Sequence, residues 1–143
     1  MSIKAQSMNN ETLHSILCTV SDTLSGQTGQ WQLLIDDVQM FCLTDELHNR
    51  MRIISPVTDV TEIGQEELMK CMVANFHSAL DVRYSISDGI IWVAFIHPLR
   101  ELTKEQVIDA MKQVYSGVLT FGGTYTSSNL SFPTNEENKT KMN

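Results

Sequence analysis

Three of the four histidines and one aspartate are candidates for acid–base or metal chemistry. They are His48, His77, His97 and Asp81, and the histidines lie in three different predicted elements. If those elements met, imidazole nitrogens and a carboxylate could bind a metal or transfer protons. No HExxH or HxH motif supports such a site. The pattern favours local hydrogen bonds for these side chains, and a small enzyme with a metal or acid–base site remains the alternative hypothesis.

Nucleophilic and phosphate-binding chemistry lack their usual motifs. There is no GxSxG elbow and no GxxxxGK[ST] loop, and the one glycine pair, Gly122-Gly123, ends a helical pattern instead of opening one. Cys18, Cys42 and Cys71 are odd in number and have no CxxC spacing, which is typical of reduced thiols in a cytosolic protein. We therefore expect no enzymatic activity and no cofactor.

The charge and the apolar pattern of the chain limit the classes of partner that we expect. Ten Lys and Arg stand against seventeen Asp and Glu in 143 residues, a formal net charge of −7. Nucleic-acid binding needs clustered cations, so we expect that this acidic chain does not bind nucleic acid. No apolar run reaches the roughly 18 residues of a membrane span. The start of the chain also lacks the apolar core of a secretory signal, so we expect a cytoplasmic protein without membrane insertion.

The first half of the chain predicts a helix followed by three strands. Asn9 or Asn10 can cap the helix, whose apolar face has three- and four-residue spacing. Alternating residues around Trp31–Ile35 predict the first strand, and Val38–Leu43 and Arg50–Val57 predict the other two. Asp36-Asp37 suits the first tight turn. The apolar face of the helix comprises Leu13, Ile16, Leu17, Val20 and Leu24.

The second half predicts helix, strand, strand and helix. Gly64 begins the second helix, and Ser87-Asp88-Gly89 joins two strands as a hairpin. A capping box of Thr103 and Gln106 begins the third helix, which ends at Gly122-Gly123. The two strands are Val82–Ile86 and Ile90–Ile96. The buried stripe predicted for the second helix is Leu68, Met69, Met72, Val73, Phe76 and Leu80.

The order α-β-β-β-α-β-β-α, with short connections within each strand group, predicts an α+β fold with an antiparallel sheet packed with helices. We expect one domain at residues 10–123, a flexible N-terminus at 1–9 and a polar, disordered tail at 124–143.

One predicted strand suggests a second subunit. Ile90–Ile96 is apolar at every position, whereas a strand with one face in water should alternate. Either helices cover it on both sides or another copy of the chain covers one side. Since only three helices are predicted for five strands, we expect a homodimer.

The chain resembles the bacterial type III secretion chaperones of the effector-binding class. The resemblance lies in its small size and acidic charge, the order of its elements, the doubly apolar strand Ile90–Ile96 and the second helix from Gly64 to Leu80. The resemblance covers about residues 10–123 and includes no invariant motif. It implies the secretion-chaperone-like fold and a virulence-associated role in protein transport. Such a homodimer binds the N-terminal segment of a secreted effector, keeps it export-competent and presents it to the secretion apparatus, with the export ATPase as a further partner.

Strand parity and the resemblance give candidate residues for both surfaces. The expected client-contact residues are Leu34, Phe41, Leu43, Met51 and Ile53. The expected dimer-interface residues are Met69, Met72, Phe76, Ile91, Trp92 and Val93. The acidic surface is expected to favour basic clients or a basic docking site. A regulatory protein of the same fold that binds a folded partner is the second alternative.

Overall fold

The first helix, α1 (Asn10–Val20), begins where the sequence places a capping asparagine. The computed structural model describes residues 7–127. In it the side chain of Asn9 accepts a hydrogen bond from the backbone N–H of Thr12 at 2.8 Å. Leu13, Ile16 and Leu17 form the buried face of this helix, as predicted.

Six antiparallel strands form one sheet with the order β1-β2-β3-β4-β6-β5. The strands are β1 (Thr23–Gln27), β2 (Gln30–Ile35), β3 (Val38–Asp45), β4 (Arg50–Asp59), β5 (Arg83–Ser87) and β6 (Ile90–His97). The strand β1 was not predicted, because Leu24 continues the helical spacing of α1 although the helix ends at Val20. The meander therefore has four strands instead of three, and the fold is α+β as expected.

Two of the three two-residue hairpin turns lie where the sequence predicted them. Asp36 and Asp37 have φ values of 45° and 69°, and Asp88 and Gly89 have values of 52° and 75°. Two consecutive positive φ angles are typical of the type I′ turn, whose twist matches that of antiparallel strands.

The other two helices begin at the predicted caps. The helix α2 (Gln65–His77) follows Gly64, and a short 3₁₀ turn at Val60–Glu62 precedes it. The helix α3 (Lys104–Thr120) follows Thr103, which exchanges capping-box hydrogen bonds with Gln106. The predicted start signals of both helices are therefore confirmed.

The core lies on one face of the sheet. Alternate strand residues such as Trp31, Met40, Ile53 and Phe95 join the buried faces of α1 and α3 in a single cluster. The helix α3 packs closely here, since the Tyr84 hydroxyl donates a hydrogen bond to its Gly117 carbonyl at 2.9 Å. No described helix packs on the opposite face of the sheet, which we call the open face.

The packed chain extends slightly beyond the predicted domain of residues 10–123. Met8 and Tyr125 are buried, and the N–H of Ser127 donates a hydrogen bond to the Ser78 carbonyl. The chain thus contributes to the core from Met8 to Ser127. Residues 1–6 of the predicted N-terminus and 128–143 of the predicted tail lie outside the described residues.

The prediction of a buried apolar stripe on α2 is wrong. The helix turns Cys71 and Ala74 toward the core. Met69, Met72 and Phe76 are 60%, 67% and 82% exposed, and Val73 is exposed as well, while Leu68 and Leu80 are partly buried. Two small residues bring the helix close to the core, and its large apolar side chains are left in solvent.

Candidate binding surfaces

The open face carries the first of two apolar surfaces. Its strand residues alternate with core residues, so they extend away from the three helices. We call its apolar part the open-face patch, and it comprises Leu34, Phe41, Leu43, Ile54, Trp92 and Ile96. Leu34 and Ile96 are exposed and the other four are half-buried.

Strand register brings the members of the open-face patch together. Phe41 on β3 lies opposite Ile54 on β4, and Ile54 lies opposite Ala94 on β6. The Phe41 and Trp92 rings meet edge to face with centroids 6.2 Å apart. The Trp92 indole N–H donates a hydrogen bond to the Ser87 carbonyl at 3.2 Å, which fixes the ring over the sheet. The patch is therefore a contiguous apolar surface across β3, β4 and β6.

Three of the five predicted client-contact residues, Leu34, Phe41 and Leu43, lie on the open face. Met51 and Ile53 are both fully buried in the core on the other side of β4, so they cannot contact a client on this face. The parity of β4 was assigned one residue out. Ile54 and Ile96 belong to the patch instead, and the exposed neighbours Arg50 and Arg52 were the available sequence signal for that parity.

The second apolar surface follows α2. We call it the α2 surface, and it comprises Met69, Met72, Val73, Phe76 and Ile86, all of which are exposed. Met72 and Ile86 line a cavity of about 300 Å³ between the helix and the sheet. Cys71 also lines this cavity, and burial raises the pKa of its thiol. The helix surface and the end of β5 are therefore continuous.

The predicted dimer residues divide into three groups. Met69, Met72 and Phe76 lie on the α2 surface. Ile91 and Val93 are 1% and 0% exposed in the core of this chain, so they are unavailable to a partner in this structure. Trp92 lies between them on the open face. The strand Ile90–His97 is apolar on both sides because one side is core and the other belongs to the open-face patch.

The helix α2 also blocks one edge of the sheet. The Asn75 side-chain N–H donates to the Tyr84 carbonyl at 3.1 Å, and its carbonyl accepts from the Tyr84 N–H at 2.8 Å. The amide thus occupies the outward backbone groups of Tyr84, so a further strand cannot pair at this point of β5. At the other edge, β1 pairs only with β2 among the described residues.

The histidines do not form a common site. His48 Nδ1 lies 2.7 Å from Asp45 Oδ2 in an exposed turn, and the His77 ring packs edge to face on Phe76. His97 Nδ1 lies 2.8 Å from the Pro98 carbonyl oxygen. The backbone N–H and the side chain of His48 hold the pKa of Asp45 below its usual value. Each imidazole therefore has a local contact.

Asp81 and His97, two of the predicted residues, line one cavity with a volume of about 300 Å³. There the Gln113 side-chain amide donates to both Asp81 and Asp109, so these carboxylates organise a buried glutamine. Within residues 7–127, no three His, Cys, Asp or Glu side chains are grouped as metal ligands. The three helices of the same region are too short or too polar to span a bilayer.

Comparison with solved structures identifies the fold. The type III secretion chaperone SycH of Yersinia pestis, solved in complex with a stable fragment of YscM2, superposes with a TM-score of 0.60 at 11% identity, covering 78% of this chain and 98% of that chain. A chain of the HopA1–SchA chaperone–effector complex gives 0.56 at 13% identity, covering 77% and 95%. A chain of the ExsC–ExsE complex gives 0.52 at 15% identity, covering 77% and 87%.

The chain has the fold of the type III secretion chaperones. No family model matches the sequence, and no curated protein is significantly similar to it. The predicted resemblance is thereby confirmed for the fold. At these identities the likeness lies in the arrangement of helices and sheet.

Proposed function

We propose that this protein is a non-enzymatic, cytoplasmic type III secretion chaperone that works as a homodimer. It binds the N-terminal segment of a secreted effector, keeps the segment export-competent and presents it to the secretion apparatus, including its ATPase. The observation that carries the proposal is the presence, on a chaperone fold, of two separate apolar surfaces that the described chain leaves uncovered. Exposed apolar area of this kind is typical of sites that bind other proteins.

The α2 surface is the proposed dimer interface. Three exposed side chains, Met69, Met72 and Phe76, lie along one helix and continue onto Ile86 at the edge of the sheet. Burying them against the same residues of a second copy would make an isologous contact, which closes after two subunits. Methionine side chains fill irregular gaps, so they suit a helix packed against its own copy.

The open-face patch is the proposed client surface. A flat apolar sheet face with aromatic residues can accept an extended or helical segment through side-chain contacts. At the unblocked edge, β1 can add main-chain pairing to such a segment. Because Asn75 interrupts the β5 edge at Tyr84, we expect this pairing on the β1 side of each protomer.

The dimer is tested by light scattering on the purified chain. We expect twice the chain mass of 16.1 kDa for the unmodified protein. Met72→Asp should give a monomer with unchanged helical circular dichroism, because a buried charge in the interface lacks a partner. Leu47→Asp, at an exposed turn residue distant from α2 in sequence, is the matched control and should remain dimeric. A monomeric unmodified protein would overturn the proposed interface.

Client binding is tested by co-expression with the product of an adjacent gene, followed by pull-down and limited proteolysis. A chaperone should protect a continuous client stretch of several tens of residues. Phe41→Asp should abolish capture while the dimer persists, since Phe41 lies in the open-face patch and outside the α2 surface. Capture of a client without a protected stretch would instead favour the regulatory protein that binds a folded partner.

A further inference from the structure

The strands of the sheet carry more basic than acidic side chains, although the net charge of the whole chain is negative. Arg50, Arg52 and Arg83 occupy open-face positions on β4 and β5, and all three are exposed. The six strands hold only two acidic residues, Asp45 and Asp59, each the last residue of its strand. In a chain with a formal charge of −7, three cationic side chains therefore lie on the open face.

The arginines beside the open-face patch lack carboxylate partners. Within residues 7–127 the two ion pairs are His48–Asp45 and Lys70–Glu66. Asp45, the cross-strand neighbour of Arg50, is thus already held by His48. Arg50 donates to the Asn49 carbonyl, and the Arg52 guanidinium has no hydrogen-bond partner in the described part of the chain.

Arg52 lies within the apolar patch itself. Its cross-strand neighbours are Leu43 on β3 and Ile96 on β6, both on the open face. A client segment that covers these two side chains would also remove water from around the guanidinium. Opposite charges interact more strongly when water is excluded, and a guanidinium can hold a carboxylate through two parallel hydrogen bonds.

We propose that the open-face patch selects client segments in which acidic side chains flank apolar ones, with the client carboxylates paired to Arg50 and Arg52. This inference rests on the proposed function, because it assumes that a client segment binds there. It reverses the preference for basic clients that the net charge alone predicts. Basic side chains would meet the two unpaired arginines and be repelled.

A segment of protein fits this surface better than a nucleic acid does. The side chains around Arg52 are mainly aliphatic, whereas single-stranded nucleic acids bind to stacked aromatic platforms along a basic groove. The remainder of the chain is strongly acidic, which opposes a polyanion.

The test uses three fluorescent peptides that share a Leu-Phe-Leu centre and carry Glu, Gln or Lys on both sides of it. Fluorescence anisotropy with the full chain should give an affinity about fivefold higher for the Glu peptide than for the Lys peptide, as expected for two partly exposed ion pairs. The preference should shrink at high salt. The double variant Arg50→Ala/Arg52→Ala should bind both peptides equally, and Arg52→Lys should retain part of the preference.

Arg100→Ala is the matched control, because Arg100 is exposed outside the sheet, and it should keep the preference. Equal binding of the Glu and Lys peptides, or no binding of the Glu peptide, overturns the inference. If Phe41→Asp still abolishes client capture in that case, the proposed function stands without it. Comparable binding of an oligothymidine would also overturn the inference. The double variant Leu130→Ser/Phe132→Ser tests whether the chain's own C-terminal segment covers the face. If this variant binds all three peptides more tightly than the unmodified protein does, the face belongs to that segment and the inference is overturned.

Discussion

The helix α3 approaches the sheet closely at Gly117, and replacing this glycine tests the packing directly. A Cβ atom added to Gly117 would lie 2.9 Å from Val93 Cγ1 and 3.4 Å from its Cγ2, with Val82 Cγ2 at 3.7 Å. Val93 is fully buried, and its β-branched side chain has few alternative rotamers. The methyl group of alanine therefore has no room unless the helix or the strand moves.

Two opposing terms set the size of the effect of Gly117→Ala. Alanine in a helix interior is favoured over glycine by about 1 kcal/mol. Inserting a methyl group into a packed core costs about 1–3 kcal/mol. We therefore expect Gly117→Ala to destabilise the protein by about 0–2 kcal/mol. The same change at an exposed helix position would instead stabilise it.

Urea unfolding followed by tryptophan fluorescence, at one fixed protein concentration, measures the free energy of unfolding of each variant. The same substitution in a Val93→Ala background should stabilise by up to about 1 kcal/mol, because the clash is gone and the methyl group fills vacated space. The sign of the effect should thus reverse between the two backgrounds. A stabilising Gly117→Ala in the unmodified protein would refute the close contact between α3 and β6.

Two further predictions concern thiols and a carboxylate. One thiol of three should react with Ellman's reagent in the native protein, because Cys18 is exposed while Cys42 and Cys71 are buried and burial raises the pKa of Cys42 to about 12. Cys18→Ser should abolish that reaction, and a second reactive thiol in the native state would contradict the buried positions. Hydrogen bonds from the Thr61 N–H and hydroxyl hold the pKa of Asp59 below its usual value. This turn is therefore strongest above the ordinary aspartate pKa and weakens as pH falls through the lowered one. Thr61→Val should raise the Asp59 pKa in an NMR titration, and an unchanged value would contradict the hydroxyl bond.

Local signals in the sequence were sufficient for most of the fold. Asn9, Gly64 and Thr103 begin the three helices because capping needs few residues and acts over one turn. The strand β1 escaped prediction for the opposite reason. Its five residues are mostly polar and exposed, and Leu24 falls on the helical spacing of α1.

The candidate surfaces were harder to predict because periodicity identifies residues that share a face and leaves open what covers that face. Met69, Met72 and Phe76 share a face of α2, yet Cys71 and Ala74 are the residues that pack on the core. On β4, Ile53 and Ile54 are adjacent and both apolar, so the apolar pattern leaves the parity open, and Arg50 and Arg52 are its only local signal. Pairing with β3 and β6 decides it, and that pairing depends on residues far along the chain.

The amide of Asn75 on the edge of β5 has a consequence for how copies of this protein can aggregate. Fibrils built from sheets need two free edges on every molecule, so that each copy can accept one neighbour and donate to the next. Here the β5 edge is interrupted by a side chain at Tyr84, and among the described strands β1 forms the other edge. Two copies joined through β1 would leave only their interrupted β5 edges for a third. The Asn75 amide thus disfavours edge-to-edge growth beyond pairs.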